Sequence, residues 1–305
     1  MFKIIMAPTD GSDAERPALD VAVTLARRFD AELRLVRVET PPVVVDPRSG
    51  PGVLKQTEET LLESRRAREK KLDDLADDLR KRGAPRVISS LESDRVEPGL
   101  RDYANRNSVD LIVMSSHSRG GLKRINLGSV TDYLIRNTDI PTLVVRPTHS
   151  AVSGNGNGPF ERIAVMLDGS ALAEQILKPV NALISGSNTS VSLVKVLQPI
   201  FYSKKQEHSG LPWWEDAVTD AETYLDLASR RLDKNVGSVT GEVLMGDDVA
   251  TAILEYCERG NADLLAMGTH GVGGIKRLVF GSIADEMTRR APISVLVFHP
   301  RESAG

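Results

Sequence analysis

The sequence predicts two consecutive α/β domains, each an open, doubly wound parallel sheet covered by helices. Three observations lead there. The chain has 305 residues, about twice a typical domain. Residues 109–147 recur without a gap at 262–300, with 16 of 39 pairs identical. Each half alternates short apolar runs with amphipathic stretches, the pattern of strands and covering helices.

In the first half, residues 3–8 form an apolar run that stops at Asp10-Gly11-Ser12. Ser12 or Asp13 can cap a helix with Leu19, Ala22, Leu25, Ala26 and Phe29 on one face. Residues 32–38 make the second strand. A long helix over 58–82 follows, with Leu72, Leu75, Ala76 and Leu79 at helical spacing and Gly83 as its stop. Residues 86–91 are the third strand, 97–106 a short helix and 110–115 the fourth strand. A glycine-rich loop then leads to a helix from Ser129, and 142–146 close the half as its fifth strand.

The second half repeats this order, with strands at 162–167, 190–196, 238–244, 263–268 and 294–298. Pro179 falls inside its first helix and predicts a kink or an early end. The expected domains are 1–147 and 161–305. Residues 148–160, with Ser153-Gly154-Asn155-Gly156-Asn157-Gly158-Pro159, are expected to be a flexible linker. Its glycines follow no strand and so form no dinucleotide fingerprint. Both halves carry a proline-bearing insertion after the second strand, 39–57 and 198–215, expected to be variable surface.

Bulk properties narrow the function. A net charge of −3 and a pI near 6.0 give no footprint for nucleic acid or a membrane surface. The N-terminal apolar run is too short for a secretory signal, and no apolar run could span a bilayer. One cysteine, Cys257, excludes an internal disulfide, fits a reducing compartment and so points to the cytoplasm. Its helical apolar context makes it a core residue.

What recurs is not only a core pattern. Met114, His117, Gly120, Gly121, Lys123, Arg124, Gly128 and Ser129 reappear as Met267, His270, Gly273, Gly274, Lys276, Arg277, Gly281 and Ser282. Ligands of an open parallel sheet sit beyond the carboxyl ends of the strands, where strand order reverses. Two features converge there: Asp10-Gly11-Ser12 with its repeat Asp168-Gly169-Ser170, and the glycine loop. In the second half the loop spells Gly268-x2-Gly271-x9-Gly281-Ser282. Its glycines allow backbone N–H groups close to an anion, and Gly281-Ser282 opens a helix whose free N–H groups and dipole favour negative charge. That arrangement suits a triphosphate on the loop and a nucleoside reaching toward Asp168. It is not a Walker-type P-loop.

On these residues nearly the whole chain resembles the universal stress protein family in a tandem two-domain form. The Gly-x2-Gly-x9-Gly-Ser spacing matches that family's ATP-binding branch. The resemblance implies five strands per half in the order 3-2-1-4-5, and pairing of the two halves through their last strands. It implies ATP, accompanied by Mg2+, against Asp168, Val196, Met267, Gly268, His270, Gly271, Gly281, Ser282 and Ile283. In the first half the matching positions are Pro8, Thr9, Asp10, Val38, Met114, Gly128, Ser129, Val130 and Thr131. There Ser115 and Ser118 replace two glycines. A serine held at positive φ would cost on the order of 1 kcal/mol.

Other readings stand beside this one. Asp10 and Asp168 could close turns, and His117 and His270 could brace the loop. No metal-ligand spacing links His149, His208 and His299, and no Gly-x-Ser-x-Gly elbow is present. Three functions remain open: an ATP-binding stress-response sensor or adaptor with at most slow hydrolysis, a scaffold of the same fold that binds no nucleotide, and an ATP-consuming enzyme such as a nucleotidyl transferase. Expected partners are a nucleotide, a second copy of the chain through the domain edges and an unidentified protein, with no nucleic acid and no membrane.

Overall fold

The structure, a computed structural model, describes residues 1–41, 58–116, 127–147, 158–199, 213–233, 236–260, 262–269 and 281–299. Its strands are β1 (Ile4–Pro8), β2 (Glu32–Glu39), β3 (Arg86–Ser93), β4 (Leu111–Ser115) and β5 (Thr142–Val145), then β6 (Arg162–Met166), β7 (Ser190–Leu197), β8 (Ser238–Met245), β9 (Leu264–Gly268) and β10 (Ser294–Phe298). They form one ten-stranded sheet in the order β3-β2-β1-β4-β5-β10-β9-β6-β7-β8. Each half therefore runs 3-2-1-4-5 outward-to-seam, with parallel pairing inside the half. The halves meet where β5 and β10 pair antiparallel, with Leu143 opposite Leu296.

Helices cover both faces. They are α1 (Arg16–Phe29), α2 (Glu58–Lys81), α3 (Val96–Arg106), α4 (Ser129–Asn137), α5 (Leu177–Ile184), α6 (Trp213–Ser229), α7 (Val249–Glu258) and α8 (Ser282–Arg290). Side chains of a strand alternate between faces, so Leu33 and Leu35 enter a core under α1 and α2, while Val36 and Val38 enter one under α3 and α4. The first core continues across the seam to Ile176, Leu183 and Leu225 beneath α5 and α6. Across the sheet, α7 and α8 cover the second half with Ile253, Tyr256 and Met287. Cys257 is buried in that core as expected, where loss of water around the thiolate pushes its pKa up to about 12.

Element ends follow local chemistry. Asp30 ends α1 in the left-handed region, and Gly83, at φ +102°, follows α2 as the sequence predicts. Two expectations change. Pro179 does not end a helix: it sits in the first turn of α5, after a 3-10 turn at Ala173–Ile176, where no full set of i−4 bonds is needed. Phe160, placed in the linker by its glycine-rich surroundings, is a core residue, and its carbonyl accepts a hydrogen bond from the Thr189 hydroxyl at 3.1 Å. The linker residues 148–157 and the parts of both insertions at 42–57 and 200–212 lie outside the described residues, as do the Trp213 and Trp214 side chains.

The seam carries a pair of symmetric contacts. Arg136 of α4 binds Asp132 of its own helix at 3.0 Å and Asp285 of α8 at 2.5 Å. Arg289 of α8 answers with Asp285 and Asp132, each at 3.0 Å. These four residues are repeat partners, Asp132 with Asp285 and Arg136 with Arg289. Arg146, buried beyond β5, donates from its guanidinium to the Thr288 carbonyl at 2.6 Å at the end of α8.

Candidate functional site

Strand order reverses beside β1, between β2 and β4, and there the first half opens a cavity of about 290 Å3. All nine first-half positions that the resemblance implies line it: Pro8, Thr9 and Asp10 after β1, Val38 on β2, Met114 at the end of β4, and Gly128 to Thr131 at the start of α4. Glu15, Val36, Arg37, Glu39, Val96, Leu100 and Ser115 complete the wall.

The turn after β1 is built from its own letters. The Asp10 carboxylate accepts the Ser12 N–H at 2.8 Å, closing an Asx turn. Gly11, at φ +79°, supplies the reversal, and the Arg37 guanidinium lies 3.2 Å from where a Cβ would stand. Arg37 donates to the Asp10 carbonyl at 3.1 Å and to Glu39 at 2.8 Å. Ser12 makes no side-chain cap. A 3-10 turn, Asp13–Glu15, intervenes before α1, and Glu15 folds back from it to take the Asp10 N–H.

The second half repeats the turn. Asp168 accepts the Ser170 N–H at 2.8 Å, Gly169 stands at φ +97°, and the Lys195 ammonium lies 3.0 Å from its absent Cβ. The same ammonium sits over the Tyr224 ring, 4.6 Å from its centre. A cation on the second strand thus flanks the Asp-Gly turn in both halves. The sequence reading missed it because Arg37 and Lys195 differ in kind, although both stand next to a predicted valine.

Each glycine loop ends at a helix start without a side-chain cap. Gly128 and Gly281 are the capping residues of α4 and α8, and neither contributes a side chain. The first N–H groups of such a helix have no intrahelical partner, so they and the positive dipole end face the cleft. Gly281 is also sterically required: its N–H donates to the Thr269 carbonyl at 2.8 Å, and a Cβ would stand 2.7 Å from that oxygen. Met267 is buried at the end of β9, while Val196 and Ile283 pack against the same core. Together with Asp168, Gly268 and Ser282 they occupy the second half's strand ends and helix start. His117, Ser118, His270 and Gly271 lie outside the described residues, with Lys123, Arg124, Lys276 and Arg277.

The expected strain at Ser115 is not there. Among the described residues only Asp30 and Ser108 are non-glycine residues at positive φ. Ser115 is the last residue of β4, and its hydroxyl donates to the Ala14 carbonyl at 3.0 Å, a bond glycine could not make. The serine ties the turn before α1 to the strand end.

Glu15 was not singled out by the sequence, where it reads as an ordinary acid before a helix. Its carboxylate accepts the Thr9 hydroxyl at 2.5 Å and the Asp10 N–H at 2.6 Å. Burial raises its pKa from 4.5 to about 7; the two hydrogen bonds oppose that, and the neighbouring Asp10 charge adds to it. Between pH 4.5 and 7 the unfolded chain ionises while the folded chain keeps the proton, so stability falls as pH rises, and the cost is complete above pH 7. Glu15→Gln should therefore change nothing near pH 4 and stabilise the fold above pH 7 by on the order of 2 kcal/mol, discounted for the open side of the cavity. Melting curves of the two proteins from pH 4 to 8 check this; parallel curves across the range would contradict it.

A model of the universal stress protein family matches residues 1–146 and 159–299. The chain belongs to the universal stress protein family. Among similar universal stress proteins, one from Mycolicibacterium smegmatis is 25% identical over 315 residues, covering 97% of each chain. One from Methanocaldococcus jannaschii is 32% identical over 147 residues, covering 48% of this chain and 83% of its own. The crystal structure of a universal stress protein from Archaeoglobus fulgidus superposes with a TM-score of 0.69 at 18% identity, covering 97% of this chain and 98% of that one. The tandem family architecture thus spans both halves. No described helix is long and apolar enough to cross a membrane.

Proposed function

We propose that this universal stress protein is a cytoplasmic ATP-binding sensor or adaptor, with one site in each half and at most slow hydrolysis. The observation that carries the reading is the first-half cavity, which gathers all nine positions expected to meet ATP at the switch point of the sheet. It pairs an uncapped helix start, suited to phosphates, with an apolar flank of Val38, Met114 and Leu100, suited to a base. Two further features support the reading for both halves: the bond that Ser115 makes away from the loop, and the close backbone approach that Gly281 permits.

Mg2+ would travel with the phosphates. Among the described residues no group of three or more His, Cys, Asp or Glu side chains converges on one point. The ion would be carried by phosphate oxygens and water, which Mg2+ prefers, with Ser129 and Ser282 as the hydroxyls at the two helix starts. The reading includes association of two chains through β3 and β8, each of which pairs on one side only among the described residues. ATP titration by calorimetry, with ADP and AMP for comparison, tests the proposal. Turnover above about 1 s⁻¹ would instead favour an ATP-consuming enzyme.

A further inference from the structure

The two halves differ in charge beside the Asp-Gly turn. Counted from the shared Asp-Gly-Ser turn, Glu15 stands where the second half has Ala173. Glu15 lines the first cavity, and Ala173 belongs to the apolar core. We propose that Glu15 makes nucleotide binding in the first half proton-linked: an anionic nucleotide enters with uptake of a proton at Glu15, so this half binds more tightly at acidic than at alkaline pH, while the second half does not. The inference rests on the ATP reading and specifies its regulation.

The surroundings of Glu15 supply the mechanism. Asp10, on the same turn, spends one carboxylate oxygen on the Ser12 N–H and carries a like charge. On β2, Arg37 is the cation nearest the turn, and it is bound to Glu39 and to the Asp10 carbonyl. Glu39 is also paired with Arg68 of α2 at 2.7 Å. From α3, Glu97 accepts the Ser129 hydroxyl at 3.4 Å at the start of α4, and β4 contributes only the uncharged Ser115 and Met114. Phosphates in this cavity add negative charge to a wall that already holds Asp10, Glu15 and Glu39. Repulsion favours the neutral acid at Glu15, the group that already sits near half-protonation at neutral pH. By linkage, affinity then falls up to about tenfold per pH unit above the midpoint of the empty cavity.

The test uses the full chain with Gly281→Glu, which confines binding to the first half. MgATP is titrated at pH 6 and pH 8, and at pH 8 in two buffers of different ionisation heat, which reads proton uptake directly. The expected result is uptake of about one proton at pH 8 and weaker binding than at pH 6. Adding Glu15→Gln, a mimic of the protonated acid, should abolish the uptake and restore at pH 8 the affinity seen at pH 6. Adding Glu15→Ala, which copies the second half, should also abolish the uptake. Equal uptake with and without Glu15, or binding independent of pH, overturns the inference and leaves the ATP reading intact. No binding at either pH, in this chain or in the unmodified one, overturns both.

Discussion

Gly281→Glu should remove one of the two proposed ATP molecules from the chain, with an affinity loss at that half of roughly a hundredfold or more. The effect is large because two terms act together. Any Cβ at this position meets the Thr269 carbonyl oxygen at 2.7 Å, and that oxygen is held by the Gly281 N–H itself. Backbone cannot yield as a flexible side chain can, so the start of α8 must shift from the strand end. The added carboxylate then stands at the positive end of α8, where the phosphates are expected, and repels them. Gly128→Glu should cost the first half its ATP through the charge term, since it puts a carboxylate at the start of α4, which lines the cavity. Each single variant should retain one ATP, and the double variant none. Calorimetric stoichiometry checks all three; a single variant that loses both sites would show that the halves do not bind independently.

Leu143→Ala should cost about 2–5 kcal/mol of stability, the range for emptying a well-packed core site. Leu143 and Leu296 face each other across the antiparallel seam, and both are buried. They belong to the one core that runs beneath both halves, so a cavity here weakens the joint between them. The ion pairs of α4 and α8 cover the other face of the seam, but they are about a third exposed and cannot replace lost packing. Ile88→Ala is the matching control: it lies on the outer strand β3 and is 37% exposed, so it should cost well under half as much. Urea unfolding of both variants decides the matter, and equal losses would place the critical packing elsewhere.

Much of this fold was legible because parallel strands covered on both faces are written as continuous apolar runs. The gap-free repeat did the rest: once one half was read, the other followed position by position. Strand order and seam came from resemblance to the family, since periodicity does not say which strands are neighbours. The candidate site was legible where glycine and Asp-Gly-Ser letters mark backbone geometry, and the described positions of the first half do meet in one cavity.

What escaped the sequence was side-chain direction. Glu15 reads as a solvated helix acid until the 3-10 turn folds it back onto Thr9 and Asp10. Ser115 reads as a strained replacement for glycine until its strand conformation and its bond to Ala14 are seen. Asp132, Arg136, Asp285 and Arg289 were visible as repeated identities, but a cross-seam square follows only once β5 is known to pair with β10. Phe160 was lost against seven small, polar or proline residues before it, although a single buried ring suffices to anchor the entry to β6.

The most direct test is the number of ATP molecules that the unmodified chain binds, measured by calorimetry at pH 6.5 with Mg2+ present. Two per chain is the predicted result, one for the cavity beside β1 and one for the second half, at its Asp168-Gly169 turn and the start of α8. One per chain, unchanged by Gly128→Glu, would remove the first cavity as a nucleotide site. No binding of ATP, ADP or AMP at millimolar concentration would contradict the nucleotide reading altogether and leave a scaffold built from the same ten-stranded sheet.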